Sequence, residues 1–199
     1  MKIIFDLDYT LLDTVRFKEK LAEIFSKENF PADYKKYFKD RGINFDSEKY
    51  LGLLKGEGRI DGAREKDLKL GLEELLSQMD NFLFDDVGRV LKHLHDSGAE
   101  LILLTFGDKD WHEKKVKSLS VKKYFKQIVF EDANKADSEY LKSLKNVEEE
   151  ILIVNDNAKE TDAMVKVIGG KAKVFLVDGP YAKNVEHNWP IHKLGELLM

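Results

Sequence analysis

Five short apolar runs alternate with segments of helical spacing, and this alternation constrains the fold of the chain more than any other feature. The runs are KIIFDL (2–7), ELILLTF (100–106), QIVFE (127–131), EILIVN (150–155) and AKVFLV (172–177). Each is rich in Ile, Val, Leu or Phe and bounded by polar residues, as strands covered on both faces require. Helical patterns at 87–98, 109–119, 138–146 and 158–170 precede or separate the last four runs, and IHKLGELLM (191–199) reads as a closing helix. The expected fold is α/β, a Rossmann-like doubly wound parallel sheet of about five strands.

One long segment breaks the alternation. Residues 15–81 contain no convincing strand, but they carry helical patterns at 15–30, 33–42, 47–54 and 63–80. They read as an all-α subdomain inserted after the first strand, which leaves 1–14 and 82–199 as the core. A chain of 199 residues is long enough for such a core and its insertion without staples.

The net charge of −4 gives no electrostatic support for binding nucleic acid or an anionic membrane. The absence of cysteine removes disulfides, thiolate metal sites and a cysteine nucleophile. No apolar run approaches membrane-spanning length and no signal-peptide core precedes KIIF, so the expected location is the cytoplasm.

Ligands of a doubly wound sheet bind outside the carboxyl ends of its strands. The first strand ends in Asp6, Asp8 and Thr10, the second in Thr105 followed by Phe106 and Gly107. Lys135 lies just past the third, and Asn155, Asp156 and Glu160 follow the fourth. Four carboxylates in one crevice repel one another, and some must stay protonated unless a cation joins them. Magnesium removes the difficulty, because it takes oxygen ligands from one or two carboxylates and a substrate phosphate. Lys135 adds a fixed positive charge and Thr105 a hydroxyl for an anion. These are the parts of phosphoryl transfer through an aspartyl-phosphate.

These residues resemble the four motifs of the haloacid dehalogenase superfamily, in its magnesium-dependent phosphatase branch with a helical cap. The first motif, DxDxT, is similar to Asp6-Leu7-Asp8-Tyr9-Thr10, and the second to Thr105 in LLTFGD. The third resembles Lys135 in KADSEYL, and the fourth Asp156 and Glu160 in VNDNAKE. Tyr9 stands where Gly is common, Phe106 where Asn is usual, Ala136 for a Pro, and Asn155 for a Gly.

The resemblance implies that Asp6 attacks phosphorus and that Asp8 protonates the leaving oxygen and then activates water. It implies magnesium on Asp6, Asp156 and the backbone carbonyl of Asp8, with Glu160 positioning metal-bound water. Thr105, the Phe106 backbone N–H and Lys135 would hold the phosphoryl oxygens. Asp162 competes with Glu160 for its role, since both follow Asp156 at short range.

The implied activity is hydrolysis of a small phosphorylated metabolite. A phosphomutase, a phosphonate-cleaving enzyme and a non-catalytic protein that keeps the fold are the alternatives. From the inserted helices, Arg16, Lys18, Lys55 and Arg59 are candidates to reach a substrate, against an ordinary role as solvated surface. The run HEKKVK reads most simply as a solvated helix face, and His112 as a surface or partly packed residue. Phe17, Leu21, Ile24 and Phe25 fall at helical spacing and read as core.

Overall fold

The computed structural model describes residues 1–26, 29–183 and 185–199. Six strands form one sheet in the order β3-β2-β1-β4-β5-β6, with every neighbouring pair parallel. They are β1 (Lys2–Phe5), β2 (Glu100–Phe106), β3 (Phe125–Glu131), β4 (Ile151–Asn155), β5 (Ala172–Val177) and β6 (Ile191–His192). The expected doubly wound α/β fold is met, with one strand more than the apolar runs suggest. The sixth strand corrects the closing helix expected over 191–199: Ile191 and His192 pair with Leu176 and Val177, and only Leu194–Leu198 is helical, as a 3-10 turn.

β1 lies at the centre, paired with β2 on one side and β4 on the other. Its side chains alternate between two cores. Ile3 and Phe5 enter the cluster that holds α5 (Val87–Asp96) and α6 (Lys109–Lys117), while Ile4 joins α7 (Glu139–Ser143) and α8 (Ala158–Ile168) on the opposite face. This is why the run is apolar without alternation. The chain moves outward from β1 to β2 and β3, then returns to the other side of β1 as β4. The strand order therefore reverses at the β1/β4 crevice, where a sheet of this order opens a ligand site.

Between β1 and α5 the described residues are helical: α1 (Thr14–Phe25), α2 (Phe30–Tyr37), α3 (Ser47–Gly56) and α4 (Gly62–Ser77), with short 3-10 turns at Lys39–Arg41 and Met79–Phe82. The long pattern over 15–30 is broken: α1 stops at Phe25, α2 starts at Phe30, and residues 27 and 28 lie outside the described residues. Aspartates start three of these helices. Asp13, Asp46 and Asp61 each accept the backbone N–H three residues on, which satisfies an otherwise orphaned donor.

The chain leaves and re-enters the sheet region side by side. Asp13 N–H donates to the Phe82 carbonyl at 2.7 Å and Phe84 N–H to the Leu11 carbonyl at 3.1 Å. The helices share an aromatic core in which Phe30 stacks on Phe25 at 5.3 Å and Phe45 meets Trp111 of α6 edge-on at 5.3 Å. After β5 the chain forms the single turn α9 (Pro180–Lys183). No helix among the described residues is long and apolar enough to cross a membrane.

Candidate active site

The carboxyl ends of β1, β2 and β4 bring the predicted residues together. Lys135, on a 3-10 turn after β3, is 2% exposed. Its Nζ lies 2.6 Å from Asp6 Oδ1 and 2.8 Å from Glu160 Oε2. Asn155 Nδ2 donates to the same Glu160 oxygen at 2.8 Å, so the residue that stands for the family's glycine fixes the acid instead. Thr10 ties the two sides of the crevice: its hydroxyl lies 3.5 Å from Asp6 Oδ2 and accepts the Asp156 N–H at 3.1 Å. Glu160 is held in place by α8, whose Asn157 cap accepts the Glu160 N–H. Asp162 turns away and accepts the Trp189 indole N–H at 2.7 Å.

The electrostatics follow from this crowding. Burial raises the Asp6 carboxyl to about 6; Lys135 opposes the shift, and Glu160 and Asp8 add to it. Burial and the neighbouring Asp6 charge push Asp156 up to about 7, against the Tyr181 backbone N–H and Lys135. Burial works to neutralise Lys135, but Asp6 and Glu160 outweigh it and the ammonium is held more firmly than usual. Asp156 Oδ2 is buried with no hydrogen-bond partner. Such an atom is costly unless something cationic meets it.

Asp8 has partners that the sequence reading missed. Lys115, 3% exposed, donates to Asp8 Oδ2 at 2.6 Å, and the Thr14 hydroxyl donates to Oδ1 at 2.8 Å. Burial alone would raise the Asp8 carboxyl, but the Lys115 charge and hydrogen bonds hold it well below the usual range. HEKKVK is thus not a wholly solvated face: Trp111, His112, Lys115 and Val116 form the buried stripe of α6. The signal was present in the helical spacing of those four positions, which places a lysine among core residues.

His112 is also buried, and burial, with Lys115 adding to it, keeps the ring neutral with a pKa of about 3. Its Nδ1 lies 2.9 Å from Thr105 Oγ1 and its Nε2 3.8 Å from Asp8 Oδ2. A proton on Nε2 suits both neighbours, with Nδ1 accepting from the Thr105 hydroxyl. Two glycines make room for these groups. Gly107 has φ +148, and a Cβ there would fall 2.2 Å from His112 Nε2. At Gly179, after β5, a Cβ would fall 2.6 Å from Asp156 Cβ and 2.7 Å from its Oδ2.

Gly179 and Tyr181 follow β5, beyond the strand ends that supply the predicted site residues. Gly179→Ala is expected to displace the Asp156 carboxylate and destabilise the protein by about 1–3 kcal/mol, the usual cost of overpacking. Urea unfolding of both proteins checks this, and an unchanged midpoint contradicts it.

Tyr9 adopts φ +60, a conformation that disfavours side chains, and its N–H donates to the Leu12 carbonyl and Thr14 Oγ1. Its hydroxyl accepts from Lys18 Nζ at 2.9 Å. Of the four basic residues proposed from the helices, only Lys18 lines the cavity beside Asp8. Arg16 donates to the Asn81 carbonyl, Lys55 pairs with Glu65, and Arg59 pairs with Asp33.

The strand order and this carboxylate–lysine crevice define a Rossmann-like α/β protein with its polar centre at the sheet's switch point. Residues 3–167 match the family model described as haloacid dehalogenase-like hydrolase, and the chain belongs to that family. No curated protein matches it by sequence.

Solved structures share the fold across nearly the whole chain. A haloacid dehalogenase-like hydrolase of Burkholderia xenovorans LB400 superposes with a TM-score of 0.76 at 17% identity, covering 98% of this chain and 96% of that one. The HAD-hydrolase YfnB of Bacillus subtilis, bound to magnesium, gives 0.63 at 18% identity over 98% and 96%. CbbY of Rhodobacter sphaeroides, in complex with phosphate, gives 0.54 at 16% identity over 98% and 95%.

Proposed function

We propose that this protein is a magnesium-dependent phosphohydrolase that removes phosphate from a small phosphorylated metabolite through an aspartyl-phosphate on Asp6. The observation that carries this reading is the buried Asp6–Lys135–Glu160 network beside Asp156, whose Oδ2 has no hydrogen-bond partner. Among the described residues no group of three or more His, Cys, Asp or Glu could hold a metal by itself. Two carboxylates and a backbone carbonyl, completed by substrate and water, are nevertheless what magnesium takes. Asp6, Asp156 and the Asp8 carbonyl would hold the ion. It would neutralise charge on the crevice and on the transferring phosphoryl group. The magnesium of YfnB and the phosphate of CbbY support this assignment.

In the proposed reaction an Asp6 carboxylate oxygen attacks phosphorus as the bond to the leaving oxygen breaks. Lys135 and the Phe106 N–H stabilise the charge on the phosphoryl oxygens, joined by the Thr105 hydroxyl as it turns its proton from His112 Nδ1 to the phosphoryl group. Asp8 passes a proton to the leaving oxygen and later takes one from the water that hydrolyses the acyl phosphate. Lys115 holds Asp8 as the carboxylate, the form needed in the second step; the proton for the first arrives with a substrate monoanion. Helices α1–α4, as a cap over residues 15–81, would exclude bulk water and select the leaving group. The test is magnesium-dependent release of phosphate from a generic aryl phosphate and a broad panel of phosphorylated metabolites. No turnover on any of them sinks the reading.

The raised acids also set a stability pattern. A carboxyl whose pKa is higher in the folded state stabilises it below the unfolded value and loses that contribution as pH rises through the folded value. For Asp6 and Asp156 this window runs from about 4 to about 7. The metal-free protein is therefore expected to lose melting temperature from pH 5 to pH 7.5. A fixed magnesium concentration, a hundredfold above its Kd at pH 7.5, should restore about 2.7 kcal/mol there and less at pH 5, where protons compete for the same acids. Thermal melts in EDTA and in magnesium check both; equal magnesium shifts at the two pH values would contradict the assignment.

A further inference from the structure

Asp8 opens onto a cavity of ≈ 250 Å³ between the sheet end and helices α1 and α2, and the lining of that cavity specifies a ligand. Among the described residues, Ile43, Phe106 and Tyr181 are large hydrophobics left 48%, 41% and 48% exposed, and all three line it. Tyr9 extends the apolar wall, with its ring 5.4 Å from Tyr181 and edge-on to it. Apolar surface concentrated at one concavity marks a place where an apolar group is received. The size limits that group: a cavity of about 150 Å³ takes one benzene ring, so this one has room for a ring and a few substituents.

The charges lining the cavity narrow the choice further. Lys115 is spent on Asp8, and Asp108 is paired with Lys49. His112 is neutral. Lys18 remains: its Nζ lies 5.3 Å from the Tyr9 ring centroid and 5.2 Å from that of Tyr34, and it has no carboxylate partner among the described residues. A leaving group here meets flat apolar walls and one ammonium that, besides its bond to the Tyr9 hydroxyl, can still donate to an anionic or carbonyl oxygen.

Resting on the phosphohydrolase reading, we propose that the substrate is a phosphomonoester whose leaving alcohol carries a single flat ring with one acceptor substituent, the ring lying between Phe106 and Tyr181 and the substituent on Lys18. A short acidic leaving group without a ring would leave the apolar walls exposed.

Non-hydrolysable phosphonates test the pocket separately from the chemistry. Calorimetric titration in magnesium should rank meta- or para-carboxybenzylphosphonate above benzylphosphonate, and benzylphosphonate at least tenfold above phosphonoacetate. Lys18→Met should abolish the first gap and retain the second. Phosphonoacetate binding as tightly as benzylphosphonate, no measurable binding of either, or a Lys18→Met protein that keeps its carboxylate preference overturns the proposal. Benzyl phosphate hydrolysis is measured alongside. The binding order without magnesium-dependent turnover would uphold the pocket and sink the phosphohydrolase reading; turnover with the order reversed would do the opposite.

Discussion

Asp6→Asn is expected to lower kcat by at least about 10⁴-fold while leaving the protein folded. The amide is nearly the same shape as the carboxylate, but it cannot form the acyl phosphate, and losses on this scale follow removal of a nucleophile. Stability should change little. Asp6 is ionised only at the cost of burial among acids, and Lys135 retains Glu160 as its partner. The decisive measurement is single-turnover trapping. Wild type denatured during turnover of a ³²P-labelled substrate should carry acid-stable label, and Asp6→Asn none. Turnover within tenfold of wild type, or label on the variant, would place the nucleophile elsewhere.

Lys135→Met should be costly in both stability and activity. The Nζ satisfies two carboxylates from inside a site with almost no solvent access, and breaking a buried pair from one side costs about 3–5 kcal/mol. Asp6, already raised by burial, then shifts further toward its protonated form, and Glu160 loses its charge partner. The added instability should therefore be small near pH 5 and grow as pH rises toward 7.5. Activity should fall about 10³-fold, because the lysine is also the fixed charge facing the phosphoryl oxygens in the proposed reaction. Urea unfolding at the two pH values separates the terms. A pH-independent loss of stability would mean that Lys135 acts only through packing.

Much of the fold was legible because its signals are local. A strand buried on both faces must be apolar along its length, and KIIF, ELILLTF and EILIVN are; a helix on a sheet must repeat every 3.6 residues, and 87–96 does. The predicted residues at the ends of β1, β2 and β4 converge because parallel strands all present their carboxyl ends at the same edge. Their identity as motifs came from resemblance, which carried Lys135 to within 2.6 Å of Asp6 across 129 positions.

The local signals failed where a contact belongs to two distant segments. Two residues are too few to show a strand period, so β6 exists only through its pairing with β5. By composition alone Lys115 belongs on the surface; it is buried because α6 turns that face toward Asp8. Gly179 is needed only because Asp156 lies against it, and Lys18 differs from Arg16, Lys55 and Arg59 only in facing the cavity. By itself the sequence determined the layered sheet and the acids at its switch point, since periodicity and strand-end position are properties of a single segment. The tertiary structure alone decided what surrounds Asp8 and Asp156, because burial and charge pairing depend on which faces of separate segments meet.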